Sequence, residues 1–172
     1  LVLACSNRDS GTVSIIDLRT HAKICEILVG NKPEGVSFLG STHRLTVAVY
    51  GTDQVVFLDA DADADQTLAT TRVFDEPYGI VSNESGSRVY VTLDFPGRVL
   101  EIDTSSLKIK REFEVGEFIR GIAISRDNDR LYVTEFYTSN VKAIDLKSGE
   151  VVDQWTGSST DNLARQIVLN PT

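Results

Sequence analysis

Antiparallel four-stranded sheets repeated about every 43 residues, the blades of a β-propeller, are the all-β fold that this sequence predicts. Three observations predict it. A glycine recurs at Gly35, Gly79 and Gly121, and an aspartate recurs at Asp17, Asp59, Asp103 and Asp145. Each interval between them holds short runs of strand character and no helical period.

Within a repeat the elements follow in a fixed order. A short apolar run comes after the glycine (36–38, 80–82, 122–124), then a polar turn such as 125–130, then an alternating strand (44–49, 88–92, 130–134). After a loop, a third strand ends in Ile or Leu plus Asp, and a fourth, as at 110–115, alternates with period two. Pro33 and Pro77 fix the entry to the innermost strand, and the glycine two places on lets backbones crowd near a central axis. The closing Asp accepts hydrogen bonds from the turn that follows it, in Ile-Asp-Leu-Arg-Thr, Ile-Asp-Thr-Ser-Ser and Ile-Asp-Leu-Lys-Ser.

Complete blades are expected at 33–76, 77–118 and 119–162 within a single propeller unit spanning 1–172. Residues 1–32 supply the second, third and fourth strands of one more blade. Its innermost strand comes from 163–172, with 165–169 as the strand, or from a strand outside this sequence. The first choice closes a four-bladed ring, and the second makes the chain a stretch of a larger propeller, which is the expectation here. The absence of Met and the opening inside an apparent strand agree with a start that is not the natural one.

Composition narrows the function. A net charge of -8 and a pI near 4.7 oppose binding to phosphate backbones or anionic lipid, so nucleic acid is not an expected partner. No apolar run approaches the roughly 18 residues that span a bilayer, so no membrane insertion is expected. Cys5 and Cys25 fall on the second and fourth strands of one blade, too far apart for a bridge, and read as two buried free thiols.

Catalytic patterns are missing from the sequence. His21 and His43 stand in no metal-ligand spacing and read as surface residues, and there is no Cys-x-x-Cys-His and no glycine-rich phosphate loop. No catalytic residue and no cofactor is expected, with one reservation. In an extended segment Asp59, Asp61, Asp63 and Asp65 share a face, a pattern that suits a hard cation such as Ca²⁺, but the run lacks the Gly and terminal Glu of an EF-hand loop and a solvated turn is the simpler reading.

Ligands of such folds sit where the loops entering the innermost strands meet those joining the second and third strands. That mouth collects Glu34, Tyr78, Arg120 and Arg165 from just before each glycine position, with Arg8, Asp53, Asp94, Phe95, Glu135, Phe136 and Tyr137 beside them. Arg120 and Arg165 either anchor a ligand among the aromatics or pair with neighbouring acids to knit blades together.

The stretches 88–103 and 130–145, carrying Tyr90-Val91-Thr92 and Tyr132-Val133-Thr134, resemble the YVTN-repeat β-propellers, the surface-layer and YncE-like proteins of bacteria and archaea. The match is looser at Leu45-Thr46-Val47, and Leu93 and Glu135 replace the usual Asn. The resemblance implies a propeller of usually seven blades in a secreted, periplasmic or cell-surface protein. The expected function is non-catalytic binding or scaffolding, with an unidentified protein or small molecule held at the mouth. The alternative is the propeller portion of a cytochrome- or quinone-linked redox enzyme whose cofactor site lies outside this chain.

Overall fold

The computed structural model describes residues 1–61, 67–158, 160–161 and 163–170. Among these residues the strands form four separate sheets, and within each sheet every strand pairs antiparallel with the strands next to it in the chain. The first sheet is β1 (Val2–Asn7), β2 (Thr12–Asp17) and β3 (Ala22–Leu28). The second is β4 (Pro33–Phe38), β5 (Arg44–Val49), β6 (Gln54–Asp59) and β7 (Thr67–Arg72). The third is β8 (Pro77–Ser82), β9 (Arg88–Leu93), β10 (Arg98–Asp103) and β11 (Lys108–Glu114). The fourth is β12 (Ile119–Ile124), β13 (Arg130–Glu135), β14 (Val141–Asp145) and β15 (Val151–Trp155).

The core lies between sheets. Val13, Ile15 and Ile27 of the first sheet meet Leu45, Val47 and Leu58 of the second. Val55 and Phe57 meet Ile80, Val91 and Ile102, and Tyr90, Val99 and Phe113 meet Ile122, Leu131 and Ile144. Each blade thus buries its faces on its neighbours, with large side chains each contributing about 1.5–3 kcal/mol of burial. This is why isolated repeats cannot fold and stacked ones can.

The recurring glycines sit where the innermost strands touch. A methyl group on Gly35 would lie 2.6 Å from the carbonyl oxygen of Tyr78, and one on Gly79 would overlap the carbonyl oxygen of Arg120. One on Gly121 would lie 3.0 Å from the backbone of Gln166. Residues 163–170 therefore run beside β12 as β12 runs beside β8, but they form no strand, contrary to expectation. In each complete blade the innermost strand is held by the second strand that directly follows it in the chain, and no described residue plays that part for 163–170. Nor do they pair with β1, whose only strand partner among the described residues is β2.

The threonine of Tyr-Val-Thr has a mechanical role. Gly79 N–H donates to Thr92 Oγ1 (2.8 Å), whose hydroxyl donates to the Arg120 carbonyl in the next blade (2.9 Å). Gly121, Thr134 and Ala164 repeat the relay at 3.0 and 3.2 Å, and Ser6 donates to the Glu34 carbonyl at 2.6 Å. The ladder places Thr46-Val47-Ala48 opposite this motif, one residue on from the sequence alignment at Leu45, because β5 and β9 both begin at an arginine. Ala48 has no hydroxyl, so this blade lacks the relay.

The turn aspartates behave as read. Asp17, Asp59 and Asp145 accept from the backbone N–H of Arg19 (2.7 Å), Asp61 (3.0 Å) and Ser148 (2.7 Å), and Asp103 accepts from Ser106 N–H (2.8 Å). Both cysteines are free, as expected, yet not buried: Cys5 is exposed and Cys25 half-buried. Cys5 faces the hollow along the innermost strands, beside a β1 edge that no other strand covers, so the side chain meets open space.

Candidate ligand-binding mouth

One end of the molecule gathers the starts of the innermost strands and the ends of the second strands. Three backbone devices build it. The residue before each innermost strand is left-handed, Lys32 (φ 55°), Glu76 (φ 54°) and Phe118 (φ 53°), and so is Leu163 (φ 60°) at the equivalent place of the next repeat. Its carbonyl accepts the N–H of the residue following the second strand, from Tyr50 to Lys32 (3.0 Å), Asp94 to Glu76 (2.9 Å) and Phe136 to Phe118 (2.8 Å). A bulge then falls between Pro33 and Val36, between Pro77 and Ile80 and between Ile119 and Ile122. Bulges re-aim side chains, here those of Glu34, Tyr78 and Arg120.

Each re-aimed side chain meets the residue that follows the second strand of the preceding blade. Glu34 accepts from Arg8 Nε at 2.7 Å. Tyr78 meets Tyr50 edge to face, ring centres 6.4 Å apart. Arg120 donates to Asp94 Oδ2 through Nε (3.0 Å) and Nη2 (2.7 Å). Arg165, at the equivalent place of the next repeat, stacks over Phe136 at 5.4 Å. The same joint therefore recurs four times between successive blades, as two ion pairs of opposite polarity, one aromatic pair and one cation on a ring.

The Arg120 joint is the most enclosed. Its guanidinium lies 3.6 Å over the Phe136 ring and 4.7 Å from that of Tyr78. Burial works against its charge, and the hydrogen bond and charge of Asp94 outweigh that penalty. Asp94 is 2% exposed and its Oδ1 has no partner among the described residues. At Tyr50, burial and then the hydrogen bond and charge of Glu76 push the phenol above its ordinary value, so it stays neutral.

Glu135 serves the loop. It accepts from Lys142 Nζ (2.6 Å), Thr138 (2.6 Å) and Asn140 (2.8 Å). Burial raises its carboxyl, but these hydrogen bonds win and hold it below the ordinary value, so it stays charged. The knot fixes the turn that carries Phe136 and Tyr137.

Beyond the joints an aromatic path crosses the mouth. Phe136 contacts Tyr137 (4.9 Å), Tyr137 contacts Phe118 (5.0 Å) and Phe118 contacts Phe95 (6.3 Å). Phe95 is 50% and Tyr137 58% exposed. Asp53 accepts from Glu76 N–H (3.2 Å) and lines, with Arg72, Phe74 and Asp75, a separate open groove of about 530 Å³. The mouth is thus two-sided: Arg8, Glu34 and Lys32 at one part, rings with Arg165 at the other.

The aspartate run does not join this site. Asp59 is engaged in its turn and Asp61 meets His43, while Asp63 and Asp65 lie outside the described residues. Both histidines are exposed, as expected. No cluster of three or more metal-ligating side chains occurs among the described residues.

No family model matches this chain, and no curated protein is similar to it in sequence. Solved structures are similar in shape. Hydrazine synthase of Kuenenia stuttgartiensis superposes with a TM-score of 0.86 at 24% identity, over 94% of this chain and 47% of that one. The β-propeller domain of Cps50 (Swd1) from Myceliophteria thermophila superposes with a TM-score of 0.78 at 18% identity, over 99% of this chain and 56% of that one. The fold is a β-propeller. The chain spans about half the length of either neighbour.

Tyr50, Phe118 and Lys32 complete the propeller mouth and escaped the sequence reading. A signal for two of them was present. Lys32 and Phe118 directly precede Pro33 and Ile119, the first residues of innermost strands, and the position before each such strand faces the same end in every repeat.

Proposed function

We infer that this propeller is a non-catalytic binding or scaffold module whose partner sits at the mouth. The observation that carries the reading is the joined set of rings from Phe136 to Phe95, of which Tyr137 and Phe95 are half-exposed, with the exposed Arg165 against Phe136 at its start. Aromatic and arginine side chains of this kind anchor protein and small-molecule ligands. The likeness of the repeats to YVTN propellers supports a secreted, periplasmic or cell-surface setting. No helix among the described residues is long and apolar enough to cross a membrane.

A second reading has its own observation. One similar fold is that of a hydrazine synthase, so the blades can equally serve a redox enzyme that carries its cofactor elsewhere. The visible spectrum of the full-length protein separates the two: a haem or quinone band supports the enzyme. For the first reading, Phe95→Ser with Tyr137→Ser should release a partner that co-purifies with the full-length protein. Substituting Arg126 and Lys147, outside the mouth, should leave it bound. Retention by the mouth variant and loss by the other would overturn the assignment.

A further inference from the structure

We propose that the mouth takes a carboxylate-bearing ligand with a flat apolar body, the carboxylate on Arg165 and the body across Tyr137 and Phe95. This deepens, and rests on, the reading of the mouth as the binding face. It starts from matching the charges at the inter-blade joints. Arg8 is satisfied by Glu34 and Arg120 by Asp94, while Lys142 of the adjoining loop is satisfied by Glu135. Arg165 has no carboxylate partner among the described residues and is exposed, its contact being the face of Phe136.

Phe136 is buried (5% exposed), with Arg120 at 3.6 Å and Arg165 at 5.4 Å from its ring centre, so the ring is already engaged by cations. A cationic ligand finds no free face there and meets an unmatched positive charge. An anion meets a guanidinium whose planar fork suits a carboxylate and whose contact with a ring holds it in place. The apolar body follows from the next rings along, Tyr137 at 4.9 Å from Phe136 and Phe95 beyond Phe118. The net charge of -8 opposes an anion at long range, but about 8 Å of screening at physiological salt leaves the contact partners to decide.

The probe is naphthoate, titrated into isotope-labelled protein while the Arg165 Nε–H signal and the ring signals of Tyr137 and Phe95 are followed by NMR. Saturable shifts at all three are expected. Neutral naphthylmethanol should bind about tenfold more weakly or worse, Arg165→Gln should abolish the difference, and Arg165→Lys should keep part of it. If naphthylmethanol or naphthylmethylammonium binds the same rings as tightly as naphthoate, the carboxylate class is wrong and the mouth stands. If none of the three moves these signals, or all act at the groove beside Phe74, both inferences fall.

Discussion

Arg8 with Glu34 and Asp94 with Arg120 are the same inter-blade joint with its charges exchanged. In each pair the first residue follows a second strand and the second is the second residue of the next innermost strand, yet the guanidinium stands on opposite sides. The backbone therefore sets the contact and leaves its chemistry open. Arg120→Ala should destabilise the chain by about 3 kcal/mol, since it strands a buried carboxylate. Asp94→Arg with Arg120→Glu should recover a sizeable part, measured by chemical denaturation. If the exchanged pair is as unstable as the two single losses summed, the joint is not interchangeable.

Gly79 shows how closely the innermost strands approach. Ala there has no room beside the Arg120 carbonyl, and because the obstacle is backbone it cannot yield as a side chain would. Gly79→Ala should cost about 3 kcal/mol. Gly121→Ala, whose methyl would meet Gln166 in the strandless 163–170 segment, should cost less. Thermal melts of both variants give the comparison, and an equal loss would contradict it.

Thr46 takes the place of Tyr90 in its blade. It is fully buried and its hydroxyl has no partner among the described residues. Thr46→Val keeps the shape and removes the orphan, so it should stabilise by about 1 kcal/mol. A loss of stability in denaturation would mean that the hydroxyl is satisfied after all.

Acid should loosen the turns. Arg19 N–H holds the Asp17 carboxyl below its ordinary value, the hydroxyl of Ser105 holds Asp103 well below, and Ser148 N–H lowers Asp145. Folded values below the unfolded value of 3.8 mean stability that is present above about pH 4 and lost as pH falls below it. The melting temperature should drop steeply between about pH 4 and pH 2. Asp17→Asn, Asp103→Asn and Asp145→Asn together should lower it at neutral pH and flatten that drop, and an unchanged slope would refute the account.

The repeat was legible because each glycine and each turn aspartate answers a local backbone demand that recurs wherever the blade recurs. The place of the Tyr-Val-Thr motif in the second blade was not, because Thr46 stands where Tyr90 does and Ala48 where Thr92 does, so residue likeness draws the motif one place early, to Leu45. The mouth residues were legible as a set, since their positions follow the repeat. Their pairing was not: whether Arg120 meets an acid and Arg165 a ring depends on the residue 26 or 29 places earlier, which the fold brings close. The exposure of Cys5 likewise follows from the uncovered edge of β1, a relation among strands that no local pattern records.

The most direct test of the binding mouth is hydroxyl-radical footprinting of the full-length protein with its co-purified partner and after that partner is stripped. The account predicts that Phe95 and Tyr137 are oxidised severalfold less in the bound state, with Ile24 and Leu68 on the outer strands unchanged. Protection confined to those outer-strand residues, with Phe95 and Tyr137 equally oxidised in both states, would contradict it.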